Sequence, residues 1–291
     1  MDEAMGSGVR ALMWLGIGLG GGVLALYILY ALYFYTIQRT MLFPRHVLPP
    51  PPPTFDVPGA LDLGVDMPAG TVEAWLLLPD AVGLGGTPVT PDATPPYPLV
   101  VIGHGNGEII DYWAEAIVPL RARGVAVLLV EYPGYGRSAG VPSQASIVDV
   151  FVRAYDAAVV HPKIDAARVV LFGRSVGGGV VAQLATRRPS AGMVLLSTFA
   201  SVGAMAAHYR LPGALARDPF DTQAVVKTYT APLLLLHGEH DSVIPFGHAQ
   251  RLHAAAPHAE LRALPCGHND CIDDWPAFWD VAIMPLLDGS R

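Results

Sequence analysis

The chain has 291 residues, of which 52% are hydrophobic and 15% charged, and its formal net charge is −7. That length admits one large α/β domain with an added segment, and an acidic chain without a Lys/Arg cluster excludes nucleic acid as a partner. Two cysteines, Cys266 and Cys271, are too few for a disulfide-dense scaffold or a four-cysteine zinc site.

Residues 1–10 read as a short tail. From 11 to 38 no side chain is charged, which exceeds the ~20 residues that cross a bilayer. A retained transmembrane anchor is expected there. A cleaved signal peptide would start more basic, have a shorter apolar region and end on small residues. Here the start is MDEAMGSG, and Tyr33, Phe34 and Tyr35 fill the far end. Trp14 at one end and Tyr30, Tyr33 and Tyr35 at the other suit the two membrane interfaces. Gly16, Gly18, Gly20 and Gly22 contain small-xxx-small spacings, although a loosely packed span without a partner is the preferred reading. Residues 39–58 read as a connector. Its run Pro49 to Pro53 predicts stiff polyproline II that holds the body off the bilayer and keeps anchor and body separable. Arg10 precedes the span and Arg39 and Arg45 follow it, so the positive-inside rule barely chooses a side.

Residues 59–291 read as the folded body. Thr71 to Leu78 begins with alternation and predicts an early strand, and Asp80 to Pro98 predicts a surface loop. Five apolar runs follow: Leu99–Ile102, Val125–Val130, Val169–Phe172, Met193–Leu196 and Pro232–Leu236. They read as strands buried on both faces. Helical stretches are predicted at Tyr112–Ala122, Ser146–Val160, Val176–Thr186, Gly247–Ala255 and Ile272–Leu287. Such alternation implies right-handed crossovers, a mostly parallel sheet covered on both sides, and chemistry at the carboxyl ends of the strands. The segment 201–230, between two core strands, is the expected cap. Its Met205, Tyr209, Leu211, Leu215 and Phe220 either line an apolar acyl pocket or pack the cap on the sheet.

Gly173-Arg174-Ser175-Val176-Gly177 runs from strand to helix and matches the elbow G-x-S-x-G, which exposes a serine hydroxyl on a tight turn. Ser175 is therefore the candidate nucleophile. A serine needs a positioned base. Downstream, HGEHDSVIP puts Asp241 after a strand as the candidate acid, with Glu239 and Asp221 as rivals, and GHND puts His268 in a loop as the candidate base. His237 and His240 read as hydrogen-bonding within their loop, and His208, His248, His253 and His258 as helix-surface or loop residues. No histidine pair has the neighbours of a metal site, so neither metal nor cofactor is expected. The strand ending VVIGHGNGE suggests oxyanion donors at the backbone N–H groups of Asn106 and Val176, with His104 and Gly105 shaping the loop. Glu108 reads equally as pocket-lining or solvated. Asp270 is predicted to cap the last helix, so the chain turns sharply between Cys266 and Cys271. A bridge there is sterically open, but two partly buried free thiols are the preferred reading.

HGNG, EYPGYGRSAG, GRSVGGG, STFAS, DPFDT, HGEHDSVIP and GHND occur in order after an N-terminal apolar segment. The set resembles the α/β-hydrolase superfamily, and more narrowly its membrane-anchored abhydrolase-domain branch, related to the serine aminopeptidase-like hydrolases. The resemblance implies the α/β-hydrolase fold with a short cap, Ser175, Asp241 and His268 as a triad, and Asn106 and Val176 as oxyanion donors. It implies hydrolysis of acyl esters, thioesters or amides, with a small-molecule or lipid acyl group, or a lipidated protein, as substrate. The long loop at Asp80–Pro98 and the cysteines flanking His268 depart from the usual pattern. A peptidase would need an acidic cluster for a substrate amine, for which Glu108, Asp111 and Glu115 offer a weak candidate. A non-catalytic membrane binding protein is the other alternative.

Overall fold

A computed structural model describes residues 2–52, 57, 59–79 and 94–289. The chain opens with helix α1 (Asp2–Leu42), of which Val9–Leu42 is long and apolar enough to cross a membrane. The helix runs past Gln38, the expected end of the anchor, to Leu42. Pro44 then supplies no N–H and restricts Phe43 before it. The carbonyl of Leu42 accepts from Asn106 Nδ2 at 3.2 Å, which satisfies one terminal group of the helix.

Strand β1 (Ala60–Asp62) and the hairpin β2 (Val65–Met67) and β3 (Gly70–Val72) precede β4 (Ala74–Leu77). The early strand expected over Thr71–Leu78 is thus two strands, divided at Glu73. That residue leaves the ladder because its carboxylate pairs with Arg137 and its N–H donates to Ser138 Oγ. Most of the loop expected over Asp80–Pro98 lies outside the described residues, as does Pro53. The body continues with β5 (Tyr97–Gly103), α2 (Val118–Ala122), β6 (Ala126–Val130), α3 (Gln144–Val159), β7 (Ile164–Arg174), α4 (Val176–Ala185) and β8 (Gly192–Leu196). The cap helices α5 (Val202–Ala206) and α6 (Thr222–Thr228) follow, then β9 (Leu233–Gly238), α7 (Gly247–Ala255), β10 (Glu260–Leu264), α8 (Trp275–Ala282) and α9 (Met284–Leu287).

Eight strands form one sheet in the order β1-β4-β6-β5-β7-β8-β9-β10. The pairs β1–β4 and β4–β6 are antiparallel, and the rest are parallel. Both faces are covered, so successive strand residues enter different cores. Leu99 and Val101 of β5 pack on the side of α3 and α4, while Val100 and Ile102 pack on the side of α2, α8 and α9. Near-continuous apolar runs with period-two division are what a doubly covered parallel sheet requires. The last helical stretch begins at Trp275, not Ile272, and breaks at Ile283. Its cap is Asp274, which accepts from the Ala277 N–H at 3.0 Å. Asp270, the residue expected to cap it, instead accepts from the Gly267 N–H at 2.7 Å.

The connector does not hold α1 away from the body. Tyr27 Oη donates to Arg210 O and Tyr30 Oη to Tyr209 O, each at 2.9 Å. Arg39 grips Asp218 with two bonds of 2.6 and 3.1 Å, and Phe43 is buried against Phe220. The helix reaches the body because it continues to Leu42, while the polyproline stretch follows only after Phe43 has entered the core. The Cβ positions of Gly16, Gly18, Gly20 and Gly22 face open space, with no described residue packed on them.

Candidate active site

Ser175 sits between β7 and α4 with φ 55° and ψ −122°, a strained conformation for a residue with a side chain. The surrounding glycines make the turn sterically feasible. A Cβ on Gly177 would lie 2.0 Å from Gly103 O, and one on Gly173 would lie 2.5 Å from Gly177 O. The turn is held by the Ser175 N–H donating to Leu196 O at 2.9 Å and by Thr198 Oγ1 donating to Ser175 O at 2.7 Å.

Three residues distant in sequence meet in one hydrogen-bonded line. His268 Nε2 lies 3.0 Å from Ser175 Oγ, and His268 Nδ1 lies 2.7 Å from Asp241 Oδ2. The other Asp241 oxygen accepts from the N–H groups of Val243 (2.9 Å) and Ile244 (2.7 Å). Burial pushes the Asp241 carboxyl up, but bonds from His237, His268 and the Ile244 N–H outweigh it and hold the group well below the usual carboxylate range. An acid kept ionised at every moderate pH fixes Nδ1 of His268 as a donor, leaving Nε2 free to accept. His237 Nε2 reaches Ile244 O at 2.7 Å and Asp241 Oδ2 at 3.3 Å, so its bond within the loop also steadies the acid. The rivals lie elsewhere: Asp221 caps α6 by accepting from Ala224 N–H, and Glu239 is exposed.

The loop after β5 is built on a buried ion pair. His104 Nε2 lies 2.9 Å from Glu131 Oε1, and Nδ1 lies 2.8 Å from Gly105 O. Both ring nitrogens face acceptors. Burial opposes the charge on His104, but Glu131 raises the ring above its usual value. Tyr132 Oη donates to His104 O, and Tyr135 Oη to Asn106 O. Val176 occupies the first turn of α4, where a helix offers its N–H no partner, and the Asn106 N–H has no acceptor among the described residues. Glu108 is not solvated. It pairs with Arg174, accepts from Gly105 N–H at 2.8 Å and from Trp113 Nε1 at 3.2 Å. Arg174 also donates to Asn269 Oδ1 beside the histidine.

Cys266 and Cys271 form a disulfide with Cα atoms 5.1 Å apart, which corrects the free-thiol reading. The turn around His268 brings the two cysteines close, and the backbone is pinned by His240 N–H donating to Cys266 O at 3.0 Å. Spacing alone could not decide the redox state.

A cavity of about 760 Å³ opens above Ser175. Met205, Tyr209, Leu211 and Leu215 of the cap insertion line it, whereas Phe220 is fully buried in the core. A further part of its wall comes from α1, through Ala31, Phe34, Met41 and Leu42. The sequence reading missed these residues, since an apolar run that suits lipid suits a pocket wall equally. Among the described residues no group of three His, Cys, Asp or Glu side chains is arranged to hold a metal ion.

The family model of the serine aminopeptidase S33 type matches residues 94–218. An uncharacterized protein of Mycobacterium tuberculosis H37Rv, Rv2307c, is 30% identical over 265 residues, covering 89% of this chain and 88% of that protein. The alpha/beta hydrolase domain-containing protein 17C of Xenopus tropicalis is 28% identical over 174 residues, covering 59% of this chain and 56% of that protein. Among solved structures, the Pyrococcus furiosus esterase PF2001 superposes with a TM-score of 0.60 at 18% identity, over 84% of this chain and 97% of that one.

Proposed function

As the chain belongs to the α/β-hydrolase superfamily, we propose that it is a serine hydrolase, anchored in a membrane by α1, that cleaves acyl esters or thioesters. The observation that carries this reading is the unbroken line from Ser175 Oγ through His268 to Asp241 beneath an apolar cavity. His268 takes the hydroxyl proton as Ser175 attacks the acyl carbonyl, while Asp241 stabilises the charged imidazole. The N–H groups of Asn106 and Val176 face the developing oxyanion. His268 then protonates the leaving alcohol or thiol, and afterwards activates the water that frees the acid and restores Ser175.

Of the three acidic side chains available for a peptidase reading, Glu115 is exposed and outside the cavity lining, and the other two are engaged. Glu108 is paired with Arg174, and Asp111 accepts from Arg137 at 3.0 and 3.1 Å. A substrate ammonium group would have to displace an arginine, so the ester or thioester reading is preferred over the amine-directed one. An intact nucleophile, base and acid also weigh against a purely binding role. Membrane attachment is supported by the length and exposure of α1, and lipids or lipidated proteins are the substrates that such an anchor favours.

The test is Ser175→Ala. It should lower esterase turnover by several powers of ten and abolish fluorophosphonate labelling, with the circular dichroism spectrum unchanged. Turnover like that of the wild type would refute the reading.

A further inference from the structure

The catalytic body does not by itself enclose the cavity above Ser175. Ala31, Phe34, Met41 and Leu42 of α1 form one wall, opposite Met205 and Tyr209 of the cap. At ~1.5 Å per residue, Ala31 to Leu42 extends about 16 Å along the helix axis. The inner end is tied to the oxyanion loop, because Leu42 O accepts from Asn106 Nδ2. At the outer end Phe34 packs on Tyr209, with ring centroids 5.5 Å apart. Gln38 is the polar exception on this wall, and its amide is already engaged: Nε2 donates to Leu215 O at 3.1 Å and Oε1 accepts from Arg217 N–H at 2.7 Å. What the wall offers a ligand is therefore mostly apolar.

The same helix sets the height of the cavity above a bilayer. About 20 helical residues cross the hydrocarbon core. Counted from Arg10, the last charge before the apolar run, a span of that length ends near Tyr30. Tyr27 and Tyr30 lie at this level, and their hydroxyls donate to the cap at Arg210 O and Tyr209 O. Tyrosines prefer that interfacial depth. The tip of the cap and the outer end of the cavity at Ala31 consequently meet the membrane surface. Tyr209, Leu215 and Tyr33 remain exposed there, at 46%, 38% and 59%.

We infer that the anchor is part of the acyl-binding site, so that a long-chain acyl ester resident in the bilayer enters between α1 and the cap and lies along the helix down to Ser175. This deepens the hydrolase reading and rests on it. It makes the substrate class a long acyl chain drawn from the adjacent leaflet, and makes Ala31 and Phe34 determinants of chain length. The chain passes from hydrocarbon to an apolar groove without full exposure to water, which removes most of the cost of extracting it.

The experiment uses full-length protein in phosphatidylcholine vesicles, with p-nitrophenyl palmitate in the bilayer and p-nitrophenyl butyrate in the water. Ala31→Trp fills the outer end of the groove. It should lower the ratio of kcat/KM for the long over the short ester at least about tenfold, the scale on which apolar pockets discriminate. Leu29→Trp, on the opposite and exposed face of α1, should leave the ratio at its wild-type value. Fluorophosphonate labelling of Ser175 reports that the site is intact. With labelling retained, an unchanged ratio in Ala31→Trp, or an equal loss on both esters, overturns the inference. If Ala31→Trp does not label, Phe34→Ala decides: it widens the same wall and should move the chain-length optimum upward, and an unmoved optimum overturns the inference. Hydrolysis of neither ester by the wild-type protein refutes the hydrolase reading itself, and the inference with it.

Discussion

His248 reads in the sequence as a surface residue of a helix, but it is 3% exposed, and its Nδ1 accepts the Ala200 N–H at 3.2 Å. A ring that accepts at Nδ1 and is buried resists protonation. Burial comes first, reinforced by the charge of Arg251 and by the neighbouring His208 and His237 rings and only partly offset by Asp241, and the ring is pushed down to about 4. An unfolded histidine titrates near ~6.5. Between these values the unfolded chain binds more protons than the folded one, so stability rises with pH across that window and is lost as pH falls through it. The contribution is about 1–3 kcal/mol at full extent. Thermal melts at pH 7 and pH 5 should show a drop in Tm for the wild type. His248→Asn keeps an acceptor for Ala200 but cannot ionise, and its drop should be smaller. Identical pH slopes for the two proteins would remove His248 as the source.

Helix α1 changes its surroundings along its length. From Val9 to Leu26 it is exposed around the whole circumference, while the part from Ala31 to Leu42 turns one side to the cap and to the loop after β5. Docking there includes directional contacts, the Arg39–Asp218 pair and the Tyr27, Tyr30 and Gln38 bonds. Deleting residues 2–38 should leave the line from Ser175 to Asp241 in place, because every member of it lies in the body. The truncated protein should hydrolyse a short ester but lose its preference for long chains, and should self-associate through the uncovered cap and groove. Chain-length profiles and size-exclusion chromatography check both. A truncated protein that stays monomeric with the full-length profile would show that the helix contributes nothing to the site.

For the whole molecule, the disulfide links covalent state to compartment. Cys266 and Cys271 bracket the candidate base, and their bridge closes a short loop directly around it. Bridges persist in oxidising compartments and are rare in the cytosol. The body should accordingly face an oxidising compartment, with α1 entering the membrane from that side. A loop of this size is worth about 2 kcal/mol in the chain-entropy account, so reductant should lower Tm by several degrees and activity with it. Thiol counting under alkylating conditions, together with protease protection of intact cells or vesicles, tests the link. A cytosolic body with a stable bridge, or an external body with two free thiols, would break it.

Much of the site was legible in the sequence because the fold expresses it locally. Ser175 is visible as an elbow since a strand, a strained turn and a helix must follow one another within a few residues, and a Cβ at Gly177 would meet the backbone of Gly103. Asp241 and His268 are visible because each follows a strand, β9 in the core and β10 at the sheet edge, at the end of the sheet where loops converge. The doubly covered sheet is visible in its apolar runs. What tertiary structure alone decided involves partners far apart in sequence. The break at Glu73 depends on Arg137, the engagement of Glu108 on Arg174, and the burial of His248 on Ala200. The docking of α1 depends on a cap about 180 residues away, since hydropathy records that a side chain avoids water without recording what receives it.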